Sequence, residues 1–287
     1  MSFDYDKLKN WPFEEITQTY TSRDTILYAL GVGLGADPMD EQQLQYVFEE
    51  AEPFMALPTM AVVLGSPGFW SRDPKTGIDW VKVLHGEQKM VIHNPLPTSA
   101  TIKAKSKVTG LVDKGADKGA LILTERTLKD ADSGLDLATL TSTTFARGNG
   151  GYDGPSDEAP RPHKVPEREP DFAVDLTTSD MAALIYRLSG DYNPLHASPS
   201  VARAAGFPKP ILHGLCSLGV AGHAILKGCC DYDAKRLKSL QLRFSSPVYP
   251  GETIRTEIWR DGANISFRSK IVERDVVVLD NGHATVE

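Results

Sequence analysis

Residues 185–224 read IYRLSGDYNPLHASPSVARAAGFPKPILHGLCSLGVAGHA. They set an acid, an amide and an imidazole (Asp191, Asn193, His196) around Pro194, then open an apolar, glycine-studded run at His213-Gly214. On a straight helix Asp191 and His196 would stand about 140° apart, at about 100° per residue, and could share no ligand atom. Pro194 removes a backbone donor and pushes Asn193 out of the helical region, so the spacing predicts that a helix through Tyr186 ends near Gly190 and the chain curls. A curled loop brings both side chains to one point. A carboxylate and an imidazole there offer a held water one acceptor and one group that holds or returns a proton. The same residues also admit a local reading, a helix C-terminal turn in which Asp191 and Asn193 bond to their own backbone.

The run that follows, LCSLGVAGHAIL over 215–226, is apolar or small at nearly every position, the pattern of a helix buried on most sides. Gly214 opens it, where backbone N–H groups lack intrahelical partners and the helix dipole is positive. A carbonyl oxygen placed there would be polarised, an effect worth roughly 3 kcal/mol as charge develops in a transition state. Close packing is the other use of that glycine. Water activation beside carbonyl polarisation is equipment for hydrating an alkene conjugated to a thioester. His223 reads as a hydrogen-bonded core histidine, and no pair among Asp191, His196, His213 and His223 has the spacing of a metal motif, so no metal site is expected.

The segment Tyr186-Arg187-Leu188-Ser189-Gly190-Asp191-Tyr192-Asn193-Pro194-Leu195-His196, followed by Leu212-His213-Gly214, resembles the hydratase 2 motif of the MaoC-like hot-dog enoyl-CoA hydratases. The likeness extends over the whole chain and is to the two-repeat type, such as the hydratase unit of peroxisomal multifunctional enzyme type 2. The resemblance implies (R)-specific hydration of trans-2-enoyl-CoA, with Asp191 and His196 holding the water, Asn193 fixing the loop and Gly214 N–H polarising the thioester. It implies substrate contacts at Tyr192, Pro194 and Leu195 within the motif, at His85 and Gly86, at Lys114 and at Phe244. Without it, His85-Gly86 is a turn leading into a strand, Lys114 a solvated turn lysine and Phe244 core packing at a strand end. It also implies an acyl-CoA thioester as partner, a homodimer, and no cofactor, since coenzyme A is part of the substrate.

Outward from the motif, the chain repeats itself. TSRDTILYAL over 21–30 ends in a glycine-rich stop, as 178–190 does. Tyr28 and Tyr186 stand 158 apart, Pro53 and Pro210 157, Pro95 and Pro247 152. This is one duplication. In each half a buried helix, opening at Pro58 or at Leu215, precedes alternating segments: 89–92, 101–111, 120–128 and 138–145, then 239–244, 253–259, 265–272 and 276–279. Asp261-Gly262 and Pro250-Gly251 mark turns. A helix followed by an antiparallel run, twice, reads as α+β. The resemblance sharpens that to a double hot-dog fold, each repeat a curved antiparallel sheet around a central helix. The organisation is then an N-terminal repeat over 1–150, a linker with five prolines over 151–170, and a C-terminal repeat over 171–287. The first copy has Asp37-Pro38-Met39-Asp40 in place of the acid, amide and histidine, and Ala56-Leu57 in place of His213-Gly214. Only the second half keeps the chemistry, and the resemblance gives the first half the task of accommodating the acyl chain.

Composition bounds the alternatives. With 287 residues, 41% of them hydrophobic, the chain can bury proper cores. A net charge of -7 supplies no basic stripe for nucleic acid, and an anionic ligand must be met by local positive charge. Cys216, Cys229 and Cys230 form neither a metal spacing nor an even disulfide set, which favours a reducing compartment. No stretch is long enough to span a membrane, the N-terminus is charged where a signal peptide is apolar, and the chain ends in no Ser-Lys-Leu address; the expected location is cytoplasmic. Two other functions fit the same residues: a dehydratase of branched or dicarboxylic 3-hydroxyacyl thioesters, and a non-catalytic acyl-CoA-binding protein.

Overall fold

A computed structural model describes residues 3–287. The first half runs α1 (Tyr5–Lys9), β1 (Ile16–Tyr20), α2 (Ser22–Gly31), α3 (Glu41–Val47), a 3₁₀ turn at Pro58–Val63, then β2 (Val83–Ile92), β3 (Ala100–Asp113), β4 (Ala120–Asp130) and β5 (Asp136–Ala146). The second runs β6 (Phe172–Thr177), α4 (Ala182–Tyr186), α5 (Pro199–Ala204), α6 (Gly214–Cys229), β7 (Leu237–Phe244), β8 (Thr253–Asp261), β9 (Asn264–Ile271) and β10 (Val276–Val286). Among the described residues no helix is long and apolar enough to cross a membrane.

The strands form one antiparallel sheet in the order β1-β3-β4-β5-β2-β7-β10-β9-β8-β6. The two halves are joined by β2 against β7, in register from Glu87 opposite Arg243 to Val91 opposite Ser239. The expected double hot-dog is therefore present, with its two sheets continuous through a seam. β1 and β6, which the sequence reading lacks, are the outer edges. Each is short, five residues in β1 and six in β6, although both alternate in burial, β6 from Phe172 to Thr177 without a break.

The two central helices differ. α6 is buried at every residue from Cys216 to Leu226, so the apolar run is satisfied on all sides. The buried helix expected after Pro58 is instead a six-residue 3₁₀ turn. It ends where Gly65 takes a positive φ of 58°, with Gln18 Oε1 accepting its N–H at 2.6 Å. At roughly 2.0 Å per residue it spans about 12 Å, against about 24 Å for the 16 residues of α6 at 1.5 Å. The rest of that concavity is covered by a separate apolar cluster that includes Phe3, Leu8, Ile78, Val108, Leu111 and Tyr152. The segment 151–170 forms no helix or strand but is pinned to both halves. Tyr152 hydroxyl donates to Leu111 O, Asp157 accepts from Leu111 N–H and Lys9, and His163 bonds to Ser266.

α2 begins with a capping box between Thr21 and Asp24, and its far end packs on α6. Contact is close because Gly219 has no side chain: a Cβ there would lie 2.4 Å from Val32 Cγ1 and 3.0 Å from the Tyr28 hydroxyl. Alanine is the better helix former, but overpacking outweighs that gain. Gly219→Ala is expected to lower stability by about 1–3 kcal/mol in urea denaturation; an unchanged or higher midpoint would contradict this packing.

Candidate active site

α4 passes into a 3₁₀ turn at Arg187–Ser189 and stops at Gly190, whose φ of 125° suits glycine. Pro194 then starts a second 3₁₀ turn, Pro194–His196, capped by Asn193, whose Oδ1 accepts from Leu195 N–H at 3.1 Å. Asp191 Oδ1 accepts from Asn193 N–H at 3.1 Å. The local reading of these residues therefore holds, and it coexists with the expected approach of Asp191 to His196. The short self-bonds shape the curl, and the curl brings Asp191 and His196 together.

The orientation of His196 is set by Ile211, whose carbonyl lies 2.9 Å from Nδ1. A carbonyl only accepts, so Nδ1 carries the proton and Nε2 of the neutral ring is a bare acceptor. Asp191, His196 and His213 each offer one oxygen or nitrogen within 4.8 Å of the others. A water making ordinary hydrogen bonds of about 2.8 Å bridges two groups up to roughly 5 Å apart. These three are also the described residues that could hold a metal ion. Against that use, the rings of His196 and His213 stack at 3.7 Å and 28°, so their in-plane lone pairs run side by side rather than converging on one point.

The sequence offers His213 as part of the His-Gly that opens the helix and as a metal-ligand candidate without motif spacing, but gives it no role in positioning the loop. In the fold its Nε2–H donates to the main-chain carbonyl of Asp191 at 3.1 Å, its ring stacks on His196, and Tyr186 covers its other side at 5.1 Å. It ties the loop to the start of α6. Burial, with His196 beside it, pushes its pKa down to about 4, so it is neutral. Burial also lowers His196, outweighing the bond to Ile211 and the attraction of Asp191.

Gly214 is the first residue of α6, and no side chain caps the helix. The N–H groups of Cys216 and Ser217 bond to the His213 carbonyl, which leaves those of Gly214 and Leu215 pointing out of the helix end. The glycine also serves packing. A Cβ on it would lie 3.2 Å from the Phe244 ring. Phe244, at the end of β7, stands 4.8 Å from the ring of His85 across the seam. A register shift between His85 and Glu87 bends β2 there, so His85 and Gly86 lie within a bulged strand rather than in a turn before it. His85 is solvent-accessible yet surrounded by protein, as a group lining a cleft is. Burial pushes its pKa down to about 4, against the opposing pull of Asp191.

The other expected contacts are more peripheral. Tyr192 is exposed under the Arg187 guanidinium at 4.9 Å, Pro194 is exposed and Leu195 half-buried on the same curl. Lys114 is exposed on the turn between β3 and β4, and no contact joins it to Asp191 or His196. His223 bonds to the Tyr232 hydroxyl at 3.1 Å, the core role expected for it. In the first half Asp40 caps α3 and Asp37 bonds to Met39 N–H. The place matching the mouth of the site, around Ala56, Pro58, Ile92 and Pro95, holds about 30 Å³, room for about one water. A cavity of about 290 Å³ between the end of α2 and β6 shares no lining residue with Asp191, His196 or His213.

Because His213 holds the loop through one donor, His213→Phe keeps the stacking and removes the tie. Its Nδ1 is buried without a partner, so stability should change by less than about 1 kcal/mol. Turnover should fall by roughly 10–100-fold with KM little changed, as misplacement of a reacting pair does; a normal turnover number would show that the loop needs no tie.

Comparison with known proteins follows the same division of the chain. The MFE-2 hydratase 2 N-terminal domain matches residues 18–148, and the MaoC like domain matches 162–282. A probable enoyl-CoA hydratase 2 of Dictyostelium discoideum is 38% identical over 100% of this chain and 98% of its own length. The peroxisomal multifunctional enzyme type 2 of Mus musculus is 37% identical over 93% of this chain, which spans 36% of that longer protein. The crystal structure of a MaoC-like dehydratase from Phytophthora capsici superposes with a TM-score of 0.87 at 39% identity, covering 99% of both chains. Matched in both halves and aligned along its length with such relatives, the chain belongs to the MaoC-like enoyl-CoA hydratase 2 family of hydro-lyases.

Proposed function

We propose that the protein hydrates trans-2-enoyl-CoA to (3R)-3-hydroxyacyl-CoA, and that the second half carries the chemistry. What supports this reading is that Asp191, His196 and His213 each bring an oxygen or nitrogen within 4.8 Å of the others, with His196 Nδ1 taken by the Ile211 carbonyl, beside the uncapped start of α6 at Gly214.

The water donates one O–H to Asp191 and the other to His196 Nε2, leaving a lone pair for C3 of the enoyl thioester. As the C3–O bond forms, His196 takes the proton the water loses, and Asp191 holds the O–H that stays on C3. Charge moves through C2 to the thioester oxygen, where Gly214 N–H and the dipole of α6 stabilise it. His196 then returns the proton to C2 on the face from which the oxygen arrived. Its lowered pKa makes the imidazolium a ready donor. Asn193 shapes the curl, His85 and Phe244 line the cleft, and the first half accommodates the acyl chain. The reaction draws on no cofactor beyond the coenzyme A of the substrate.

The test is hydration of crotonyl-CoA and trans-2-decenoyl-CoA followed by chiral analysis of the product. An (R) product with the longer chain preferred is expected. Asp191→Asn should keep the fold and lose several orders of magnitude in kcat. Folded protein that hydrates neither thioester, or an Asp191→Asn variant near the wild-type rate, would sink the assignment.

A further inference from the structure

The inner face of the first half's sheet is not uniformly apolar. Cross-strand register puts Ser106, Arg126, Leu140 and Met90 in one row, Thr124, Ser142 and Gln88 in the next, and Ile122, Thr144 and His85 in the row beside the site. Leu128, Leu140 and Met90 belong to the large core, and Ala120 and Ile122 to the smaller one. Between the two cores runs a polar band. Ser106, Thr124, Arg126, Ser142 and Thr144 are all half-buried, keeping partial access to solvent.

Arg126 is the charge in that band. Its Nη2 donates to the Val62 carbonyl at 2.7 Å, which shows that the side chain points from β4 toward the 3₁₀ turn in the concavity. Its Nε is buried without a partner, and among the described residues no carboxylate pairs with it. Its neighbour Glu125 is turned to Lys107, at 2.7 Å. Burial pushes the guanidinium pKa down to about 10, still far above neutral, so the charge remains. An enclosed cation without a counter-ion is costly, and an incoming anion relieves that cost. Arg126 and the site also share a field: the pKa of His85 is lowered by Arg126 and raised by Asp191. Along β4, four residues separate the row of Arg126 from the row of His85, roughly 13 Å of strand. An acyl chain extending from Asp191 past His85 along this face would reach Arg126.

We infer that Arg126 is a specificity-determining residue that receives a carboxylate at the far end of the acyl chain, so that the preferred substrates are mono-CoA thioesters of enedioic acids. This rests on the hydratase reading for its chemistry, though not for its binding. The guanidinium forms two parallel hydrogen bonds to a planar carboxylate, in the row beside Thr124 and Ser142, whose hydroxyls bond to each other at 2.7 Å.

The experiment compares the mono-CoA thioesters of trans-2-hexenedioic through trans-2-dodecenedioic acids with trans-2-enoyl-CoAs of equal length. Wild-type protein should favour the diacid at one length by about tenfold or more in kcat/KM. Arg126→Met should cut that diacid rate by roughly 100-fold while leaving the monoacid within about threefold. No diacid preference at any length overturns the inference. So does an unchanged ratio in Arg126→Met, or an equal loss for both series, which would assign the charge to the shared coenzyme A part. If Arg126→Met does not fold, the wild-type preference and Arg126→Lys, which keeps the charge and loses the fork, decide. Affinities of Asp191→Asn for the same pairs read the discrimination without turnover. Hydration of neither series with unequal affinity defeats the hydratase reading alone; equal affinity defeats the role of Arg126.

Discussion

The burial of α6 is the constraint from which the rest of the structure follows. A helix apolar on every side must be enclosed, and the second half's sheet covers only part of it. The remainder is covered by the first half, through α2 and the 3₁₀ turn at Pro58–Val63, and that approach needs Gly219 against Val32 and Tyr28 and Gly222 against Thr59. Enclosure thereby sets the two halves against each other, and the β2–β7 seam completes the sheet around them. The N-terminus of the same helix carries Gly214, so the element that organises the core also aims the free N–H groups.

Within the cleft, desolvation outweighs attraction. His85, His196 and His213 all feel the Asp191 carboxylate, and in all three burial lowers the pKa by more than that charge raises it. The consequence is a set of neutral rings with assigned roles rather than a cationic cluster. His196 presents a bare nitrogen because Ile211 takes its proton-bearing one, and His213 spends its donor on the Asp191 backbone. Asp191 is left as the carboxylate beside these neutral rings. The contrasting charge lies at Arg126, which bonds to the Val62 carbonyl but, among the described residues, meets no carboxylate.

The two halves share a fold and differ at the matching place. At the matching place Asp37 and Asp40 have become turn and cap residues, and Ala56-Leu57 stand where a histidine and a glycine would be needed. The central helix of that half has shortened to one 3₁₀ stretch. What it lost in packing is taken up by the second apolar cluster under α1, with the polar band lying between the two cores.

Local chemistry was legible in the sequence because local bonds dictate it. Pro194 breaks the helix wherever the chain is placed, Asp191 and Asn193 bond to amides two residues on, and the long apolar run of α6 reads as a buried helix. From these the curl, the pairing of Asp191 with His196, Gly214 at a helix start and the double repeat could all be read. Everything that depends on residues distant along the chain waited for the tertiary structure. The edge strands β1 and β6 exist because β3 and β8 offer them partners, not because their own five or six residues insist on it. The run after Pro58 carries the same apolar signal as a helix, and it is Gly65 pressed against Ala104 that ends it early. His85 meets Phe244 only across the seam, His213 clamps Asp191 over a loop of 22 residues, and Arg126 is left without an acid only once every neighbour is in place. Periodicity and motif spacing report what a residue does with its neighbours in sequence; solvent exclusion and pairing across the sheet are properties of the closed fold.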